Sequence, residues 1–187
     1  MKKVQISGTG LFTPEESISN EELVLSYNKY VNEFNSTHQQ EIKNGKIIPL
    51  EESSSEFIEK ASGVKSRYVQ NKSGILDTSF MRPRLRERDE DEISNLAEIG
   101  ISAAKEAIKN SNIEIENIDA VIVACSNLER PYPAIAIEIQ NELGIKGFAF
   151  DMNVACSSAT FGIQTIYDMI RSGSIRSALM VNPEMCS

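Results

Sequence analysis

The sequence predicts an α/β fold in which helices cover both faces of a mixed sheet. Three observations lead there. Ile118 to Ala124 is a near-continuous apolar run, the pattern of a central strand buried on both sides. From about Asp91 to Lys109, the residues Ile93, Leu96, Ala97, Gly100, Ala103, Ala104, Ala107 and Ile108 share one helical stripe, most of them small enough for close packing on a sheet. Elsewhere short apolar runs alternate with helix-period segments, with no internal repeat and no linker long enough to separate two domains.

In chain order, Lys3 to Gly8 reads as a first strand. Ser19-Asn20-Glu21-Glu22 forms a capping box ahead of a helix carrying Leu23, Tyr27 and Val31. A polar, helix-compatible stretch runs from about residue 28 to 52. A second box, Ser53 to Glu56, opens a short helix that Gly63 stops. Val64 to Gln70 is then extended, Gly147 to Phe150 is a buried strand, and Ala159, Gly162, Ile163, Ile166, Met169 and Ile170 form one face of a further helix.

Composition fits one sizeable core: 187 residues, 41% apolar and 25% charged. No segment reaches about 18 uninterrupted apolar residues, and the Met1-Lys2-Lys3 start leads into a strand rather than a signal-peptide apolar run, so we expect a cytoplasmic protein with no membrane role. Cys125, Cys156 and Cys186 show no metal-ligand spacing; we expect no metal site and read all three as reduced thiols, with Cys125 and Cys186 as packing residues. The net charge of −8 argues against nucleic-acid binding. Arg82, Arg84, Arg86 and Arg88 precede Asp89 to Glu92. That segment is either a solvated, self-neutralising loop or the approach for an anionic carrier or phosphopantetheine arm.

Cys156 carries the chemistry. It falls where the Phe150 strand gives way to a helix, at a position where unpaired N–H groups and the helix dipole favour a thiolate. The small Ser157, Ser158 and Ala159 beside it would let a substrate approach the sulfur. The competing reading is a small apolar core side chain, the commonest fate of a free cysteine.

The segment Asn153-Val154-Ala155-Cys156-Ser157-Ser158-Ala159, with Phe150-Asp151 before it and Ile170 to Val181 after it, resembles the nucleophile region of beta-ketoacyl-acyl carrier protein synthase III. Val4 to Gly10 with Thr13-Pro14 resembles that family's opening strand and turn. Ser62 to Arg67 resembles its Thr-Gly-Ile-Arg-x-Arg segment, and Tyr132 to Gln140 with Leu143 to Gly147 the helix and turn before the cysteine strand. The resemblance implies the N-terminal half of a thiolase-like fold, a single half-domain over residues 1–187 with a mixed five-stranded sheet, the 28–52 stretch being an insertion of longer members.

It also implies a two-step acyl transfer. Cys156 would take the acyl group of an acyl-coenzyme A and pass it to malonyl-acyl carrier protein in fatty acid biosynthesis, with no cofactor beyond the coenzyme A thioester. Family members are close to twice this length, and their partner histidine and asparagine come from a C-terminal half; the single histidine here, His38, sits in a polar stretch and reads as a solvated surface residue. The chain alone is therefore expected not to condense. Family positions assign Ser126 to the neighbourhood of the sulfur and Arg67 to substrate binding. They give Phe57 the adenine-stacking place, while Ala61 stands where an arginine would meet a phosphate. Tyr132 falls where an aromatic crosses a homodimer interface to close the partner's acyl pocket; a tyrosine pinned by Pro131 and Pro133 in a rigid surface turn is the other reading. A non-catalytic half-domain acting as a binding partner, or a related thiolase-superfamily acyltransferase, also remains open.

Overall fold

The computed structural model describes residues 3–89 and 91–185, which divide into two compact units: residues 13–87, and residues 3–12 together with 88–185. Cys186 lies outside the described residues.

In the first unit, β1 (Glu16–Ser19) pairs antiparallel with β2 (Ser66–Val69), setting Ile18 opposite Arg67. The predicted capping box starts α1 (Asn20–Thr37): Ser19 Oγ accepts the Glu22 N–H at 3.2 Å and Glu22 Oε2 accepts the Ser19 N–H at 3.0 Å. His38 ends this helix and corrects the expectation of a freely solvated side chain. Its ring stacks on Phe34 at 4.3 Å and its Nδ1 lies 2.9 Å from the Phe34 carbonyl oxygen. A short α2 (Gln39–Lys43) follows, then a turn over 44–47 and a strap without regular secondary structure over 48–54.

That strap is held by asparagines. Asn28 donates to the Ser53 carbonyl at 3.0 Å and accepts the Ser53 N–H at 2.9 Å, while Asn35 makes the same pair of bonds with Leu50, both at 2.9 Å. The spacings match, since seven helical residues and three extended ones both advance about 10 Å. This explains a one-residue shift in the next helix, α3 (Ser55–Ser62). With the Ser53 backbone engaged by Asn28, Ser54 becomes the cap and accepts the Phe57 N–H at 3.1 Å. Gly63 closes α3 at φ 73°. The unit ends with α4 (Lys72–Ile75).

In the second unit, residues 3–12 are not a strand, contrary to expectation. They run against α5 (Asn95–Ser111), where a Cβ on Gly8 would sit 2.3 Å from the Ala107 carbonyl oxygen and one on Gly10 2.1 Å from that of Ala103. Side chains of the helix satisfy this backbone in place of a ladder: Asn110 donates to the Thr9 carbonyl and Glu106 accepts the Leu11 N–H. The stripe of small residues on α5 is thus shared, with Ala103 and Ala107 toward this segment and Ala97, Gly100 and Ala104 in the core. The helix begins at Asn95 rather than Asp91 because Ser94 caps it, Glu129 accepts the Leu96 N–H at 2.9 Å, and the buried Glu138 accepts the Ser94 N–H at 2.6 Å while pairing with Arg130.

The sheet of this unit is parallel. Its order is β4-β3-β5, from β3 (Ala120–Ala124), β4 (Phe148–Met152) and β5 (Ala178–Val181), with α6 (Ile135–Leu143) and α7 (Ser158–Ser172) as crossovers. Helices cover both faces as predicted. Val121, Val123 and Cys125 pack with α5 and α6, whereas Ala124 and Met180 meet α7 at Gly162. The five described strands therefore form a three-stranded parallel and a two-stranded antiparallel sheet, which corrects the single five-stranded sheet: β1 and β2 find each other, and residues 3–12 spend their backbone on α5. β3 is buried throughout, but β4 is an edge strand, and Phe148, expected inside, is 45% exposed and stacked on Phe150 at 6.3 Å.

Two carboxylates lock this sheet. Asp151 on β4 accepts the N–H groups of Ile135 and Ala136, both at 2.8 Å, capping α6 where Ala134 offers no side-chain cap. Asp119 accepts the Arg176 N–H at 2.6 Å and pairs with its guanidinium at 2.8 Å, holding its carboxyl down at about 2.

Asp151→Ala is expected to cost about 1–2 kcal/mol in denaturant-melt stability, from two uncapped helix amides, and Asp151→Asn about half as much. The Asp119 contribution is fully present above the ordinary carboxylate range and is lost as pH falls toward about 2. The stability difference between wild type and Asp119→Asn, measured by melts at stepped pH, should accordingly shrink as the solution is acidified; a constant difference would refute the assignment.

Candidate active site

The two helices that follow β3 and β4 lie on opposite faces of the sheet, α6 on one and α7 on the other. The carboxyl ends of these strands are therefore a topological switch point, the place where α/β sheets commonly hold ligands. Ser126 follows β3 at this edge and the Asn153–Ser157 turn follows β4.

Cys156 is exposed on that turn. The helix behind it starts later than the sequence suggested, at Ser158 with Ser157 as the capping residue, so Cys156 stands just ahead of the cap. The delay has a cause in Ala155, whose φ of 48° is left-handed and breaks the helical path before Cys156. Three bonds hold this conformation. Asn153 Oδ1 accepts the Ala155 N–H at 2.9 Å, Ser158 Oγ accepts the Val154 N–H at 2.9 Å, and the same hydroxyl donates to the Ala155 carbonyl at 2.7 Å. Ser158 is therefore buried and structural, not one of the open small residues beside the sulfur.

Ser126 is joined to the turn, as its carbonyl accepts the Asn153 side-chain amide at 2.9 Å. Its own N–H and hydroxyl donate to Glu184 Oε1, at 2.6 and 2.8 Å. The sequence assigns no role to Asn153 or Glu184, and gives Ser158 a different one. A left-handed alanine is invisible in a residue pattern, and Glu184 comes from beyond β5, more than fifty positions from Ser126 in the chain.

Cys125 is a different thiol. It is fully buried and its S–H donates to the Pro183 carbonyl at 2.8 Å, and burial, with Glu184 nearby, pushes it up to about 11. The packing role expected for it holds.

The remaining predicted residues belong to other elements. Tyr132 is 87% exposed on the loop between β3 and α6. Phe57 and Arg67 belong to the first unit: Phe57 is 65% exposed on α3, and Arg67 donates to the buried Asn20 at 2.8 Å, bracing α1 against β2. In the arginine segment, the guanidinium groups of Arg82 and Arg84 lie over the Phe80 ring at 4.6 and 4.9 Å, and Arg84 pairs with Asp77. A groove of about 490 Å³ lined by residues including Glu92, Arg130, Pro133, Glu138 and Lys146 does not reach Cys156. Among the described residues no cluster of three or more His, Cys, Asp or Glu could hold a metal ion, and no helix is long and apolar enough to cross a membrane.

Residues 150–187, which include Cys156, match the family model described as 3-oxoacyl-[acyl-carrier-protein (ACP)] synthase III. The beta-ketodecanoyl-[acyl-carrier-protein] synthase of Pseudomonas aeruginosa is 55% identical over 162 residues, covering 87% of this chain and 46% of that protein. The beta-ketoacyl-[acyl-carrier-protein] synthase III of Clostridium acetobutylicum is 28% identical over 188 residues, covering 100% of this chain and 44% of that protein. The chain spans about half the length of the curated relatives it matches. Among solved structures, the 3-oxoacyl-[acyl-carrier-protein] synthase III of Aquifex aeolicus superposes with a TM-score of 0.64 over 95% of this chain and 43% of its own, at 24% identity. The chain thus resembles synthase III in sequence and shares the α/β fold of the solved enzyme.

Iodoacetamide should modify Cys156 in the folded protein at neutral pH while Cys125 stays unmodified until denaturant is added, because only a thiolate within reach of solvent alkylates. Peptide mass mapping reads both sites; labelling of Cys125 in the folded chain would contradict the assignment.

Proposed function

We propose that this chain supplies the nucleophile-bearing half of a beta-ketoacyl-[acyl-carrier-protein] synthase III, an acyltransferase that condenses an acyl-coenzyme A with malonyl-acyl carrier protein in fatty acid biosynthesis. The observation that carries the proposal is an exposed cysteine on a braced turn at the carboxyl edge of a parallel sheet, inside the segment that matches the family model.

The thiolate of Cys156 attacks the thioester carbonyl carbon. The oxyanion is stabilised by the Cys156 N–H and by a second N–H from a C-terminal half. The bond to the coenzyme A sulfur breaks, and coenzyme A leaves as a thiolate that takes up the proton released when the Cys156 thiol ionised. Malonyl-acyl carrier protein then loses carbon dioxide, and the electron pair of the broken carbon–carbon bond remains as a carbanion, stabilised by a histidine and an asparagine of the C-terminal half. The carbanion attacks the acyl-cysteine, releasing the Cys156 thiolate and the beta-ketoacyl product on the carrier. His38 serves α1 and is not assigned to that role. No cofactor enters this scheme.

Similarity to a beta-ketodecanoyl synthase favours an acyl donor of medium length. Within the same reading, Ser126 orients the nucleophile turn, Tyr132 closes the acyl pocket of a partner copy, and Phe57 and Arg67 contact the coenzyme A donor. The homodimer forms along β4, an edge strand bearing the stacked Phe148 and Phe150. The enzyme is placed in the cytoplasm.

Incubated with a medium-chain acyl-coenzyme A, the chain should gain one acyl mass on Cys156 by intact-mass measurement, and Cys156→Ala none. The chain alone should yield no beta-ketoacyl product from malonyl-acyl carrier protein. Acylation at another residue would overturn the nucleophile, and product from the purified chain would overturn the need for a second half.

A further inference from the structure

We infer that Glu184 is a positioning residue for the nucleophile turn, acting on it through Ser126 and Asn153. The inference rests on the reading of Cys156 as the acyl acceptor. Glu184 Oε1 takes both donors of Ser126, the N–H at 2.6 Å and the hydroxyl at 2.8 Å. This fixes the Ser126 peptide, whose carbonyl accepts Asn153 Nδ2 at 2.9 Å. With that end of the amide anchored, Asn153 Oδ1 is presented to the Ala155 N–H at 2.9 Å. Ala155 is the residue that needs such support, because its φ of 48° is a conformation that a residue with a Cβ rarely adopts. The next residue is Cys156.

The chain of bonds links the segments after all three parallel strands: Glu184 after β5, Ser126 after β3 and Asn153 after β4. The two bonds from Ser126 to one oxygen anchor the series at the end farthest from the sulfur. The segments are further clamped by Asn182, which donates to the Ala124 carbonyl at 2.6 Å, and by the Cys125 N–H, which donates to the Met152 carbonyl at 3.1 Å. What remains free to vary is the direction of the Asn153 amide, and Glu184 sets it. Its role is geometric: both donors converge on one oxygen, so a glutamine that presents its carbonyl oxygen there serves as well.

The test compares wild type, Glu184→Ala and Glu184→Gln in the full chain, with thermal melts as the folding control. Two quantities are read: amide hydrogen exchange at Ala155, and the rate of acyl transfer from a medium-chain acyl-coenzyme A to Cys156 by intact mass. Glu184→Ala should speed Ala155 exchange and slow acyl transfer, each about tenfold, the effect expected if loosening Ser126 costs the turn the net contribution of about one hydrogen bond. Glu184→Gln should stay within about threefold of wild type in both. If Glu184→Ala does not fold, Glu184→Asp, which withdraws the acceptor by one methylene, reads the same link. Unchanged Ala155 exchange in the alanine and aspartate variants overturns the inference, as does a glutamine variant that behaves like alanine. Failure of the wild type to accept an acyl group, with exchange still responding to Glu184→Ala, overturns the acyl-acceptor reading instead and leaves the bonded series standing.

Discussion

Asp151 ties the strand that leads to the Cys156 turn to the helix that precedes it. Its two carboxylate oxygens accept the first two N–H groups of α6, so the helix that closes the core over β3 is pinned at its start to β4. Buried backbone groups left without partners cost more than the bonds that satisfy them contribute, so an α/β unit must find acceptors for the buried N–H groups at its helix starts. This unit takes them from distant positions. Glu129 and Glu138 do for α5 what Asp151 does for α6, and Glu138, buried against Arg130, shows how far charge is brought inward for this purpose. The result is a sheet whose helices are indexed to particular strand residues, and whose carboxyl-edge turns inherit that register.

Close backbone approach supplies the second constraint. Gly100 lies against Ile139 and Val181, where a Cβ would come within 2.9 Å of the Ile139 side chain, and Gly162 against Met180 and Ala124, so α5 and α7 sit close on opposite faces of the sheet. Gly147 is tighter still, with the position of a Cβ only 1.8 Å from the Asp119 carbonyl oxygen, at the point where β4 enters its ladder with β3. At Gly147 the neighbour is backbone and leaves no space for a side chain, whereas a larger residue at Gly100 or Gly162 would have to displace the Ile139 or Met180 side chain.

Much of this was legible in the sequence, and the boundary of legibility has a physical form. Local signals transferred well: the Ser19–Glu22 box, the Gly63 stop and the apolar run of β3 each depend on residues within one or two turns of each other. The residues 3–8, read as a strand, failed because extended backbone becomes a strand only with a ladder partner, and here the partner is the side-chain face of α5. Phe148 and the apolar face of α7 misled for a related reason. Periodicity reports which residues could be covered, whereas Ile163 is 51% exposed and only Ser158 and Gly162 of that helix are buried. At the candidate site the cysteine was visible and its support was not. Asn153 stood in the quoted motif without a role, and Glu184 becomes meaningful only when β3 and β5 are known to be adjacent.

Stability and reactivity are separated along the strands. The core gathers around β3 and on the α5–α6 face, while the amino edge is fastened by Asp119 and Arg176. At the carboxyl edge the ladders have ended. Backbone groups there are free to be turned outward, and the cost of a left-handed alanine falls on a short turn already braced by Asn153 and Ser158 rather than on the core. A thiol inside the ladder would meet the fate of Cys125, only a few residues along from the middle of β3, buried and raised to about 11. Placed past the last ladder residue of β4, Cys156 has the sheet behind it and open solvent in front of it.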